Sequence, residues 1–227
     1  MARWSRRIDG VWVEFGMRLT ATVLFLAAMV VVGRPMVLFT ENFSDVPVGK
    51  MPGGILVLGG SFKVGMEGRE RFLELGAQPV AMHAVMFGPA KQDKVMVEAR
   101  ILGRRKGRRA FPAFGVGLNG VSGYRLMVSP AKRKLELFKA DALVREVPFV
   151  WKPDQWARVQ LKSWRNGNTL ILEGRVWAEE GKGPVRPLLL WKDDSPPLPG
   201  RATAWGAPYA GTPIRFDDLR VVRLGPN

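Results

Sequence analysis

The carboxylates of this sequence are its first candidates for chemistry, because two of them held close together can hydrolyse a glycosidic bond. A retaining glycosidase needs two carboxyl groups about 5–5.5 Å apart, which on one strand means acids two or four positions apart. Glu98, Glu136 and Glu173 each stand alone in their segments. Asp217 and Asp218 are adjacent, so a regular strand directs them to opposite faces. The sequence therefore predicts no catalytic residues and a protein that is not an enzyme.

Nucleophilic and metal chemistry have even fewer candidate residues. A Ser/His/Asp triad would need His83, the only histidine, which lies in an apolar segment typical of a structural position. The chain has no cysteine, so with one histidine a zinc site is not expected. The absence of cysteine also excludes disulfides in any compartment.

Tryptophan supplies a third kind of candidate site, since exposed indole rings beside polar groups can stack against sugars. Six of the eight tryptophans lie between positions 151 and 205. Trp156 and Trp164 are eight residues apart in an alternating segment, so they share one face if the strand is regular. We predict glycan stacking on these two, although most of the tryptophans are expected to pack in or at the edge of the core.

Short alternating segments must position these side chains. In 94–102, for example, Val95, Val97, Ala99 and Ile101 share one face, which is the pattern of a half-buried strand. Glycine, proline and Asn-Gly turn signals separate the segments, and no convincing helix follows position 33. The sequence predicts an all-β domain, folded as an antiparallel β-sandwich or jelly roll. Its predicted strands cover 36–39, 55–58, 61–64, 71–75, 79–87, 94–102, 111–118, 124–129, 134–139, 143–147, 156–164, 169–177, 188–191, 202–207 and 214–223.

The first 35 residues predict a membrane segment. A helix over 11–32 would be about 33 Å long, enough to cross the hydrocarbon core. Basic residues precede it, so the positive-inside rule places the N-terminus in the cytoplasm and 36–227 on the periplasmic side of a bacterial inner membrane. Trp4 and Trp12 suit the headgroup zone. A cleaved signal peptide is the alternative interpretation of the same segment.

The chain is strongly basic, with a net charge of +15. A charge of this sign suits anionic lipid, anionic polysaccharide or an acidic protein, and it also suits a merely solvated surface. Nucleic acid is not an expected partner because the domain is predicted to be exported. One glycine-punctuated loop, GRRKGRR, could contact lipid phosphates or an acidic partner subunit through five cations: Arg104, Arg105, Lys106, Arg108 and Arg109.

Four short motifs follow one another along the chain: Phe39-x-x-x-Phe43-Ser44-Asp45, Trp151-Lys152-Pro153 followed by Trp156-x-Arg158-Val159, an Asn-Gly-Asn hairpin into 170–177, and Phe216-Asp-Asp-Leu-Arg-Val221. In this order they resemble the concanavalin A-like lectin/glucanase superfamily, in its laminin-G-like bacterial branch. The resemblance covers about 39–223 and implies a two-sheet jelly roll, but it implies no activity, because this fold serves hydrolases, lectins and adhesion modules alike. The glucanase members carry a Glu-x-Asp-x-x-Glu type of strand that is absent here.

A structural calcium ion is the one cofactor that the sequence suggests. Jelly rolls often hold such an ion between the first and last strands, with hard oxygen ligands. The oxygens available at those places belong to Glu41, Asp45, Asp217 and Asp218. The alternative is that Asp217 and Asp218 only make turn and edge hydrogen bonds.

These features lead to three hypotheses for function. The first is a non-catalytic accessory subunit of a membrane protein complex, anchored by one helix with its sandwich on the periplasmic face. The second is a membrane-tethered carbohydrate-binding module, whose partner would be a polysaccharide. The third is a glycoside hydrolase. A flat face covered by a partner would favour the first, an open groove lined by tryptophan the second, and converging carboxylates the third.

Overall fold

The structure is a computed structural model that describes residues 34–77, 81–179, 181 and 183–225. The predicted membrane segment, with Trp4 and Trp12, lies outside the described residues and stays a prediction. Within the described ranges, no helix has the length and apolar character needed to cross a bilayer.

Fifteen strands make up the described part of the chain, and a single turn of 3-10 helix, Pro130–Lys132, joins two of them. The strands are β1 Met36–Glu41, β2 Leu56–Val57, β3 Phe62–Glu67, β4 Glu70–Leu75, β5 His83–Lys91, β6 Val95–Leu102, β7 Ala113–Leu118, β8 Tyr124–Ser129, β9 Lys134–Lys139, β10 Ala142–Pro148, β11 Trp156–Asn166, β12 Thr169–Ala178, β13 Leu189–Asp193, β14 Gly200–Ala207 and β15 Ile214–Arg223.

The strands form two antiparallel sheets, as the sequence predicted. One has eight strands in the order β13-β12-β11-β6-β15-β4-β3, with β1 also paired to β15. The other has seven, in the order β10-β9-β8-β7-β14-β5-β2. Two strands pair with the same side of β15: its first three residues pair with β4 and its last five with β1.

Alternation along each strand sends one set of side chains into a common core between the sheets. In β6, Val95, Val97, Ala99 and Ile101 are buried in that core, which confirms the predicted face. The opposite set forms an outer face on each sheet. The Asn-Gly hairpin signal is confirmed as well, since Asn166 pairs with Thr169 across a turn. Gly167 has φ +60° there, a conformation that glycine adopts without strain.

A buried aspartate ties the two sheets together. Asp193 of β13 accepts hydrogen bonds from the Tyr124 hydroxyl of β8 at 2.5 Å and from the Ser195 backbone N–H at 3.0 Å. It also pairs with the Lys139 ammonium of β9 at 2.8 Å. Burial alone would raise the pKa of this carboxyl, but the bonds from Lys139 and Tyr124 leave it below its usual value.

A β-bulge corrects one prediction about the acids of β15. The register shifts between Asp217 and Arg220, and Asp218 has φ +47°. This left-handed residue breaks the alternation, so both aspartates reach arginines on the outer face of the eight-stranded sheet. Asp217 lies 2.7 Å from Arg100 and Asp218 lies 2.8 Å from Arg158. The expectation that the two carboxylates point to opposite faces is therefore wrong.

Replacing Asp193 with alanine should lower the free energy of unfolding by about 1–3 kcal/mol at pH 7, because the buried Tyr124 hydroxyl loses its partner. The pKa of Asp193 is lowered on folding, so its stabilisation is fully present above the ordinary value of 3.8 and fades as the pH falls through the lower folded value. Urea unfolding of Asp193→Ala and of the wild type between pH 7 and 3 should show this difference narrowing at the acidic end. Exposed Asp194 provides the matched control. If Asp194→Ala lost as much free energy of unfolding as Asp193→Ala, the stabilising role assigned to Asp193 would be contradicted.

Candidate functional site

One end of the sandwich is closed by the loop that leads from β10 to β11, and so from one sheet to the other. Trp151 of this loop packs edge-on against Phe114 of β7, with ring centroids 5.9 Å apart and an interplanar angle of 68°. Only 9% of Trp151 is exposed, and its indole N–H is buried without an acceptor among the described residues. The loop is therefore fixed to the core at this tryptophan.

Beside Trp151 lies a groove of about 200 Å³, which we call the tryptophan groove. A second depression of about 160 Å³ shares Gln155, Trp156 and Ala178 with it and adds Glu179. The described lining of the groove includes three tryptophans, two polar residues and several apolar ones. Its residues are Phe149, Val150, Trp151, Lys152, Gln155, Trp156, Ala157, Val176, Trp177 and Ala178.

The register of the β11–β12 hairpin brings Trp156 and Trp177 to this groove. Ala157 pairs with Ala178 and Arg158 with Trp177, so Trp156 and Trp177 are diagonal neighbours on the outer face. Sequence reasoning missed Trp177, although counting back from the Asn166-Gly167 turn gives this pairing. It also missed the contribution of Trp151, which lies in an irregular loop without a periodic signal.

Trp156 is held in place by a cluster of charges. The guanidinium of Arg100 lies 4.2 Å from the centre of the Trp156 ring. The ring of Phe72 packs against the same indole, with the two ring centroids 6.4 Å apart. Arg100 in turn pairs with Glu70, with Glu179 at 2.6 Å and with Asp217 at 2.7 Å. This set of side chains, which we call the Arg100 cluster, fixes the indole from the side of the sheet.

Burial and pairing act in opposite directions on the charges of this cluster. Burial alone would lower the pKa of Arg100, but hydrogen bonds to Glu179 and Glu70 raise it, so the guanidinium stays charged. Burial raises the pKa of Asp217 to about 6, even though the Asp218 backbone N–H and Arg100 favour its ionised form. The cluster therefore holds a carboxylate that is costly to ionise and depends on its arginine.

Trp164, the other predicted stacking residue, lies on the same outer face as Trp156, but not in the groove. It pairs with Ile171 near the far end of β11. Eight residues of strand separate the two tryptophans by about 27 Å. The structure thus brings Trp156 together with Trp151 and Trp177 instead, and glycan stacking on Trp164 stays a prediction.

A more apolar groove of about 230 Å³ lies on the outer face of the seven-stranded sheet. Phe111, Phe138 and Tyr209 are among its lining residues. Glu136 lies at its floor, with a side chain only 2% exposed that pairs with Lys132 at 2.8 Å and accepts a hydrogen bond from Ser129. Lys132 matches the charge of Glu136, and the lining of the groove offers few free polar groups. This groove is therefore the weaker candidate.

The other predicted site residues are spread over the surface. The basic loop residues are all exposed, in a tight turn closed by the bridge between Lys106 and Ala110. His83 begins β5, beside Gly59 and Gly60, with its Nε2 buried and without a partner among the described residues. That placement agrees with a structural role.

The four predicted calcium ligands are partly engaged by other groups. A carboxylate oxygen of Glu41 accepts the Phe43 backbone N–H at 2.7 Å, and the two aspartates of β15 pair with arginines as described above. Asp45 is exposed. Across the ranges that the structure describes, no three acidic or histidine side chains converge as a metal ion would require. Calcium binding stays a prediction.

Comparison with known proteins identifies the fold. No family model matches the sequence, and no curated protein matches it either. Among solved structures, a carbohydrate-binding module of Bacillus subtilis superimposes with a TM-score of 0.53 at 10% identity, covering 74% of this chain and 94% of that one. Lectin I-B4 of Griffonia simplicifolia, in a metal-free form, gives 0.51 at 10% identity over 83% and 98%.

A third similar structure is domain 4 of an extracellular arabinanase from Geobacillus stearothermophilus, in complex with arabinotriose, with a TM-score of 0.51 at 10% identity over 86% and 96% of the two chains. At these identities the likeness concerns the fold alone. It confirms the lectin-type jelly-roll sandwich that the sequence motifs implied.

The Arg100 cluster leads to a pH-dependent prediction. Arg100→Gln should lower the free energy of unfolding by about 3 kcal/mol at pH 8, because Asp217 is left ionised and buried without its arginine. The folded pKa of Asp217 is above its ordinary 3.8, so protonation is favoured in the folded state and the loss should shrink as the pH falls below about 6. Unfolding measured at pH 8 and pH 5 tests this. The double variant Arg100→Gln/Asp217→Asn should recover part of the loss at pH 8. No recovery there would contradict the view that the unpaired charge of Asp217 causes the loss.

Proposed function

We propose that the sandwich is a non-catalytic carbohydrate-binding module and that the tryptophan groove is its ligand site. The observation that carries the proposal is the convergence of Trp151, Trp156 and Trp177 on one groove beside Lys152 and Gln155. Binding sites for small ligands combine apolar and aromatic surface with a few polar groups that fix orientation. A sugar ring needs this combination, since its C–H faces stack on indoles while its hydroxyls exchange hydrogen bonds.

The acids near the groove support a function in binding without hydrolysis. Of the described residues that line the two depressions, Glu179 is the one carboxylate, and Arg100 already donates a hydrogen bond to it at 2.6 Å. A retaining or inverting glycosidase requires a pair of carboxyl groups facing the bond to be cleaved. The lining therefore supports recognition rather than cleavage.

The similar folds support this interpretation over the accessory-subunit hypothesis. Two of the three structures named above are, by description, a carbohydrate-binding module and a lectin, and the third holds arabinotriose. The groove is an open feature of the surface, which favoured the carbohydrate hypothesis at the outset. A membrane segment before position 36 would tether such a module to the outer face of the inner membrane, and that localisation remains part of the proposal.

The test is a glycan-array screen of the full chain, followed by titration calorimetry with the best oligosaccharide. Trp156→Ala and Trp177→Ala should each weaken binding about 10–100-fold, the loss expected for one stacking contact of about 1.4–2.8 kcal/mol. Trp164→Ala is the matched control, because it removes the same ring from the same face about 27 Å away. Its affinity should equal that of the wild type, because the groove proposal, unlike the prediction from sequence, gives Trp164 no contact with the ligand.

Two results would overturn the proposal. One is the absence of binding to any glycan on the array. The other is a glycan whose affinity falls equally in the groove variants and in the Trp164 variant, or falls in the latter alone. Trp156 supports Arg100, so thermal unfolding of each variant should accompany the titrations, and Trp177→Ala provides the test that does not involve that contact.

A further inference from the structure

The exposed turn that follows β6 concentrates positive charge next to the tryptophan groove. We call residues 104–109 the basic hairpin. Five of its six residues are cations, and all six are exposed. Arg104 pairs with Glu67 at 3.6 Å, but that glutamate is already paired with Arg215 at 2.5 Å. The other four cations have no acidic partner within the described part of the chain: Arg105, Lys106, Arg108 and Arg109.

The basic hairpin is held in a defined shape. The Lys106 backbone N–H donates to the Ala110 carbonyl at 3.0 Å, and Gly107 turns the chain at φ +62°. At its base, the Thr212 hydroxyl donates to the Arg104 carbonyl at 2.7 Å. Like charges held this close repel one another, so the arrangement is favourable to an anionic ligand that would relieve the repulsion.

The base of the basic hairpin is joined to the wall of the groove. The Asp154 backbone N–H donates to the carbonyl of Gly103 at 3.2 Å, and Asp154 precedes Gln155 of the groove. Gly103 has no room for a side chain, because a Cβ there would lie 2.9 Å from Pro112 and 3.1 Å from Phe114. The basic hairpin therefore begins beside the wall of the groove, and the two are neighbouring parts of the surface.

The charges that face this surface remain positive in sum. Lys152 adds a cation from the groove, and exposed Asp154 subtracts one. Arg100 offsets one of its three carboxylate partners, Glu70, Glu179 and Asp217, so two negative charges remain there. The five cations of the basic hairpin exceed these two. The basic hairpin offers no apolar side chain that could enter a lipid layer, since its sequence is RRKGRR. The basic hairpin therefore contributes charge alone, whereas the groove lining, which includes Val150 at 78% exposed, contributes apolar surface. A ligand with apolar ring faces and anionic groups would match both.

We propose that the ligand of the groove is an acidic saccharide, with sugar rings stacked on the tryptophans and carboxylate or sulfate groups bound by the basic hairpin. This inference rests on the proposed carbohydrate function and specifies its ligand class. Arginine suits the task because its planar guanidinium pairs with such anions through two parallel hydrogen bonds.

The experiment compares two polymers that share a backbone and differ in charge. Polygalacturonate and its carboxyl-reduced neutral form are titrated against the full chain at low and moderate salt. The acidic polymer should bind at least 10-fold more tightly at low salt, and the advantage should shrink as salt screens the charges. The test variant replaces the four unpaired hairpin cations with glutamine, and it should lose this advantage while its affinity for the neutral polymer stays unchanged.

A second variant controls for net charge. It removes four exposed cations that lie outside the basic hairpin and the groove and have no ion pair among the described residues, so its total charge matches that of the hairpin variant. Its preference for the acidic polymer should remain within about twofold of the wild type. Its substitutions are Lys63→Gln, Arg145→Gln, Lys192→Gln and Arg223→Gln.

The outcomes separate this inference from the function on which it rests. Equal binding of the two polymers, or equal losses in the two charge variants, overturns the acidic-saccharide inference and leaves the carbohydrate proposal standing. Acidic binding that Trp156→Ala and Trp177→Ala do not weaken overturns both, because the groove then plays no part. Hairpin-dependent binding to phosphatidylglycerol vesicles, with no binding to either polymer, also overturns both and assigns the cations to a membrane surface.

Discussion

The edge-on contact between Trp151 and Phe114 is the constraint on which the candidate site depends. The chain must cross from one sheet to the other after β10, and this crossing would leave the end of the core open without a large apolar side chain beneath it. Trp151 closes it, and an aromatic pair of this geometry adds about 0.5–1.5 kcal/mol beyond its buried area. The loop so fixed forms a wall of the groove and, through Asp154, holds the base of the basic hairpin.

The outer face of the eight-stranded sheet shows how a charged surface can serve an aromatic site. Arg100 is 8% exposed, so it needs several acidic partners to remain there. Those partners come from β4, from the residue that follows β12 and from β15, so the cluster links these segments as well as supporting Trp156. A ring that is already fixed loses little freedom when a ligand arrives, and this favours affinity.

The predictable part of the molecule is the part governed by local pattern. Alternation located the strands, and the turn at Asn166-Gly167 fixed a hairpin whose register, counted back from the turn, pairs Arg158 with Trp177 and so makes Trp156 and Trp177 diagonal neighbours. The bulge at Asp218 was not predictable, because one residue at positive φ reverses the alternation without a glycine to signal it. The Arg100 cluster was also beyond reach, since its three acids lie 30 to 117 positions from Arg100 in the sequence. Such pairings depend on the order of strands in the sheet, which no local pattern contains.

The pairing of β1 with β15 places the first and last strands of the sandwich side by side. Met36 pairs with Arg223, and Arg223 also pairs with Val95 at the start of β6, whereas the basic hairpin follows Leu102 at the other end of β6. The chain thus enters and leaves the sandwich side by side, about 25 Å from the groove along that strand. A fusion partner or solid support joined at either connection would leave the groove facing outward. The neighbouring connections would also suit a circular permutant, with new ends opened in an exposed turn elsewhere.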